Sequence, residues 1–129
     1  MTENKIELKP ITIADAGRAR YATNAITLDK YGRLTLRSAA RDKLAIEGET
    51  AFVYISVDPR TKTIGIVRQD AATRLPGAKA MRVDRRGYVS GRAIIDKLAL
   101  KPGELYTFEY VGQIDAEGER WHAWRLAED

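Results

Sequence analysis

Cysteine is absent from this 129-residue chain. That excludes a disulfide scaffold and any thiolate-held zinc or iron centre. Histidine occurs once, as His122 between Trp121 and Ala123, so an imidazole cluster for metal or acid–base chemistry is excluded as well. A lone imidazole in a strand is expected to pack or face solvent. No glycine-rich phosphate loop, nucleophile elbow or metal-ligand spacing occurs, and the carboxylates are scattered among basic neighbours. Catalysis, a metal and a cofactor are therefore not expected. No apolar run reaches membrane-spanning length and MTENKIELKP carries no signal-peptide pattern, so a cytoplasmic protein with no membrane association is the expectation.

What is present is a repeat. NAITLDKYGRLTLRSAARDKLAIEGE (24–49) returns in degraded form as KAMRVDRRGYVSGRAIIDKLALKPGE (79–104). Asp29, Gly32 and Arg37 match Asp84, Gly87 and Arg92. The run Asp42-Lys43-Leu44-Ala45 matches Asp96-Lys97-Leu98-Ala99, and Gly48-Glu49 matches Gly103-Glu104. One residue is lost before the second match and one, Pro102, is gained after it. Each half is too short to hold a core alone, so the two are expected to bury their apolar faces against each other in one domain.

Residues 1–24 read as an N-terminal arm, alternating around Pro10 and carrying Arg18 and Arg20; a packing strap or a partly disordered extension is the expectation, the other reading being a phosphate contact. Residues 25–68 form the first half-unit. Ile26 and Leu28, then Leu34 and Leu36, alternate with polar residues around an Asp29–Gly32 turn, giving a hairpin with one aliphatic face and one face of Thr27, Arg33, Thr35 and Arg37. A short helix over 38–45 with Ser38 as N-cap follows, then a second hairpin over 50–57 and 63–68. Residues 69–78 are the connector. The second half-unit, 79–129, repeats the order: strands at 81–83 and 88–90, a helix over 92–99, and a hairpin of 105–112 and 119–126 across 113–118. Its aromatics Tyr106, Phe108, Tyr110, Trp121 and Trp124 are expected in the core, the other reading being a stacking platform for bases.

The net charge of +4 is unevenly placed. Between Ala25 and Ile46, Lys30, Arg33, Arg37, Arg41 and Lys43 face only Asp29 and Asp42. Between Lys79 and Lys101, seven basic residues face only Asp84 and Asp96, and the remainder of the chain is net acidic. Positive charge confined to equivalent places in two repeats points to a polyanion.

LDKYGRLTLRSAARDKLAIEGE, with its strand, D-x-x-G-R turn, strand and short helix ending in R-x-x-L-x-I, resembles the AbrB-like swapped-hairpin family of DNA-binding domains. The resemblance covers nearly all of the first half-unit and, more weakly, the second. It implies a mainly β fold, a small swapped-hairpin β-barrel built from two ββαββ half-units with short helices. Both halves in one chain are similar to the MraZ-type arrangement. Two departures stand out. Arg37 and Arg92 occupy a position commonly proline in that family, and Tyr88 replaces the arginine equivalent to Arg33, which implies unequal half-sites.

The implied partner is double-stranded DNA, bound by a transcriptional regulator that acts by occupancy. The contact residues expected both from the charge pattern and from the resemblance are Lys30, Arg33, Arg37, Arg82, Arg85, Arg86 and Arg92, with Thr35 and Ser90 on the same strand faces adding hydrogen bonds. Arg41, Lys43 and Lys97, on the short helices, are secondary candidates. The alternative is a protein-interaction module, an antitoxin-like or oligomeric assembly factor using the barrel and the arm. Oligomerisation is left open by both readings, and nothing marks a small-molecule substrate.

Overall fold

The computed structural model describes residues 24–46, 50–71 and 77–127. The arm, with Arg18 and Arg20, the Gly48-Glu49 turn and the middle of the connector lie outside the described residues.

Period-two alternation produces strands where it is strongest. β1 (Ile26–Leu28) and β2 (Arg33–Leu36) form the first hairpin. In its turn the Asp29 Oδ1 accepts the N–H groups of Tyr31 (2.9 Å) and Arg33 (3.0 Å), while Gly32 takes φ +80°. A β-branched or bulky residue could not take that φ without strain. The same device recurs between β5 (Met81–Val83) and β6 (Tyr88–Ser90), where Asp84 Oδ1 accepts from Arg86 (2.9 Å) and Tyr88 (3.0 Å) and Gly87 has φ +86°. The second hairpins are β3 (Ala51–Asp58) with β4 (Thr63–Arg68), and β7 (Tyr106–Ala116) with β8 (Glu119–Leu126). A single 3₁₀ turn, Gln69–Ala71, opens the connector.

The helices are shorter than expected. α1 is Ser38–Lys43 and α2 is Arg92–Lys97. Each stops because the next alanine but one turns left-handed, Ala45 at φ 58° and Ala99 at φ 54°. Ile46 N–H then donates to Arg41 O (2.8 Å) and Leu100 N–H to Ile95 O (2.9 Å), the Schellman closure. Side chains from β4 and its turn bond carbonyls just past the helix ends, with Arg68 donating to Ala45 O and Lys62 to Leu98 O. Ser38 is not the N-cap. That place belongs to Arg37, in extended conformation and with no side-chain cap bond. The strand is held up to Leu36 by its N–H bond to Gly87 O (2.8 Å), so the helix begins one residue earlier than the serine rule suggests.

The β7–β8 connection also differs from expectation. Gln113, Asp115 and Glu117 read as a polar loop, yet both strands run on and close through two residues, Glu117 (φ 53°) and Gly118 (φ 76°). Two consecutive left-handed residues make the turn whose twist matches the flanking strands. Val111 is the extra residue of a bulge between Tyr110 and Gly112.

All strands join one antiparallel sheet in the order β5-β3-β4-β8-β7-β1-β2-β6, and its two edge strands lie beside each other, giving a nearly closed barrel. Carrying β1, β2, β3 and β4 onto β5, β6, β7 and β8 turns the β1–β7 pairing into the observed β5–β3 pairing. The β2–β6 and β4–β8 pairs join the two sets directly. The interior is filled by alternate strand residues such as Ile26, Leu34, Val53, Ile64, Phe108 and Trp124, with Ala40, Leu44, Ile94 and Leu98 from the helices. The aromatics of the last hairpin are packed as expected. Trp124 and Phe108 are fully buried, and the Trp124 indole donates to Asn24 O (2.8 Å).

Candidate nucleic-acid interface

The β2–β6 pair organises the basic residues. Its register places Arg33 opposite Ser90, Leu34 opposite Val89 and Thr35 opposite Tyr88. Leu34 and Val89 are buried, so Arg33, Ser90, Thr35 and Tyr88 share the outward face. Two backbone bonds extend the ladder at its ends, Gly91 N–H to Gly32 O and Leu36 N–H to Gly87 O, both 2.8 Å. Each hairpin turn therefore sits beside the strand exit of the other repeat. Arg92 comes next to the Lys30–Arg33 turn, and Arg37 next to the Arg85–Arg86 turn. At the first junction Lys30, Tyr31, Arg33, Ser90, Arg92 and Asp96 line a groove of about 550 Å³.

Fixed local geometry holds the guanidiniums. Arg33 Nε lies 2.9 Å from Asp29 Oδ2 and Arg86 Nη2 lies 3.2 Å from Asp84 Oδ2. Burial pushes the Asp29 carboxyl up, but the Arg33 N–H, its guanidinium and the Tyr31 N–H together outweigh it and hold Asp29 below its ordinary value. The Asp84 carboxyl is held below its ordinary value first by the Tyr88 N–H; burial opposes this, and the Arg86 N–H and guanidinium lower it further. The Asp29 hydrogen bond in turn raises Arg33. These pairs are exposed and contribute little to stability; their effect is to orient. Aromatic rings complete the arrangement. Arg33 lies 4.7 Å from the Tyr88 ring centre and 5.4 Å from that of Tyr31, Arg86 lies 4.8 Å from Tyr88, and Lys30 lies 5.3 Å from Tyr31.

The remaining candidates are distributed differently. Arg82 is exposed on β5 opposite Phe52 of β3, on the far side of the barrel seam from Arg33. Lys97 is exposed on α2, beside a shallow cavity shared with Ile55, Val57 and Ala93. Arg41 braces the second turn instead of reaching outward, with Nη1 3.4 Å from Arg85 O and its side chain against Gly87. Lys43 lies 4.2 Å from the Tyr110 ring centre, on the β7 side. Thr27, expected on the open face, is buried between its cross-strand partners Thr35 and Thr107.

Sequence reading missed the roles of Tyr31 and Tyr88, which carry the stacked guanidiniums. The signal for Tyr88 was its place at the position of Arg33 in the repeat.

His122 sits apart from this face. Its Nδ1 is 2.9 Å from Tyr110 Oη and its Nε2 is 3.4 Å from the Gln113 amide. Burial, and then the Lys43 charge, lower its pKa below 6.5. The folded form thus binds this proton less readily than the unfolded chain. Any stability tied to it is complete above about pH 6.5 and falls as the pH drops. An NMR titration of the imidazole is expected to give a midpoint below 6.5, moving upward in Lys43→Gln; a midpoint at or above 6.5 contradicts the packing described.

Among the described residues no group of three or more carboxylates and imidazoles is placed to hold a metal ion, and no helix is long and apolar enough to cross a membrane. Comparison with protein-family models, curated proteins and solved structures gives no match. The site is therefore read from its own chemistry.

Proposed function

We propose that the chain is a sequence-preferring, double-stranded DNA-binding regulator that acts by occupancy, without catalysis or cofactor, in the cytoplasm at the nucleoid. In this reading residues 25–68 and 79–129 are two AbrB-like, swapped-hairpin half-units that form one pseudo-twofold barrel. The correspondence between the β1–β7 and β5–β3 pairings supports it.

One observation carries the functional reading. Exposed basic residues of two turns lie beside those of two strand exits, at the two ends of the β2–β6 pair. Gly32 and Leu36, which mark the two junctions along β2, are four residues apart, a span of about 14 Å at strand rise. That is close to the roughly 12 Å width of a major groove. Cations at the junctions would meet phosphates on its two sides, while the β2–β6 face, with Arg33, Thr35, Tyr88 and Ser90, would meet base edges. The two ends are unequal, since Arg33 stands at one and Tyr88 at the other.

Offered a random duplex pool at low salt, the full chain is expected to enrich one bipartite site with unlike halves. Retention of no duplex would overturn the reading in favour of the protein-interaction alternative.

A further inference from the structure

The half-buried Tyr88 ring has the guanidiniums of two exposed arginines, Arg33 and Arg86, within 5 Å of its centre. Its backbone is fixed twice, by pairing with Thr35 and by the N–H bond to Asp84 Oδ1 (3.0 Å). Arg33 and Arg86 lie 4.7 and 4.8 Å from its ring centre, so each is held at two points, by the ring and by a turn aspartate. A guanidinium restrained by both a carboxylate and an aromatic ring loses less freedom on forming a forked contact. Arg33 meets Asp29 through Nε, which leaves its terminal nitrogens, the pair suited to guanine O6 and N7, outside that ion pair. Arg86 uses Nη2 on Asp84, and that nitrogen carries a second N–H.

We infer that Tyr88 is a positioning residue that makes Arg33 and Arg86 one rigid reading unit for two nearby guanines. This rests on the duplex-binding reading above. Because both charges lie within 5 Å of one ring centre, they are separated by no more than about 10 Å, on the order of three base-pair steps. The unit therefore selects two guanines within about three steps of each other. The tyrosine that breaks the repeat at this position is thus part of the specificity of the face.

The test is sequence selection by the full chain and three variants, with salt dependence measured in parallel. The native protein and Tyr88→Phe are expected to enrich the guanine pair. Tyr88→Leu keeps apolar bulk and loses the aromatic face, so discrimination against a changed guanine should fall roughly fivefold. Its salt slope should not change, because no charge is removed. Arg86→Lys, which leaves Tyr88 in place, keeps the charge and loses the planar fork; it should lose one guanine at an unchanged slope.

Guanine discrimination undiminished in Tyr88→Leu would overturn the inference. So would its loss in Tyr88→Phe, or a native site lacking the guanine pair. If the native protein retains no duplex at all, the underlying DNA reading fails and this inference falls with it. Duplex retained by the native protein without these differences defeats the inference alone.

Discussion

Replacing Gly87 by alanine is expected to lower the melting temperature by roughly 12 °C, against roughly 4 °C for Gly103→Ala. Both glycines have nearly the same left-handed backbone, φ +86° and +85°. An alanine in that region costs about 1–2 kcal/mol at either place. The surroundings differ. A Cβ at Gly103 meets nothing within 4 Å, whereas at Gly87 it would lie 2.5 Å from Leu36 O and 3.2 Å from the Arg41 side chain. The backbone oxygen cannot move aside, because Leu36 N–H is bonded to Gly87 O at the junction of turn and strand exit. Overpacking adds about 1–3 kcal/mol. Thermal unfolding of the two variants measures the difference directly, and equal losses would show that the junction is loosely packed.

The second large effect is on binding. Arg33→Ala/Arg92→Ala removes two cations of the first junction and leaves Lys30, and Arg37→Ala/Arg85→Ala removes two of the second and leaves Arg86. Each double variant is expected to weaken duplex binding roughly 100-fold; the salt slope should fall by about 1 in the first, where Arg33 faces bases and Arg92 a phosphate, and by about 2 in the second. Folding should be little changed, since exposed ion pairs contribute about 0–1 kcal/mol. The pairs are chosen across the repeats because each turn sits beside the other repeat's strand exit. If the junctions hold unlike half-sites, each variant should also lose selection for a different half of the site. Equal, sequence-independent losses would instead describe a uniform phosphate clamp.

That crossing shows where the sequence was informative and where it was not. Strands, turns and the aliphatic face were legible because each rests on local chemistry, such as alternation in Ile26–Leu28 or an aspartate bonding back to its own turn before Gly32 and Gly87. Helix ends were not. Ala45 and Ala99 take a conformation that alanine disfavours, and it is held by tertiary contacts, the buried Ile46 and the Arg68 and Lys62 bonds to carbonyls just past the helix ends. The polar tip of β7 was misread because an exposed hairpin needs no apolar alternation. Basic clusters were visible as charge, but their division was not. Arg41 and Lys43 read as secondary contacts on a helix, and only packing shows one to be a brace on Gly87 and the other a cation over Tyr110. Tyr88 likewise read as a lost arginine until its ring was seen beside two others.

The salt dependence of duplex binding by the native chain tests the central claim most directly. With four to six phosphate contacts drawn from the two junctions, the logarithm of affinity should fall against the logarithm of salt with a slope of roughly −4 to −5 on B-DNA. Absence of a salt-sensitive shift of any duplex at low salt would contradict the account.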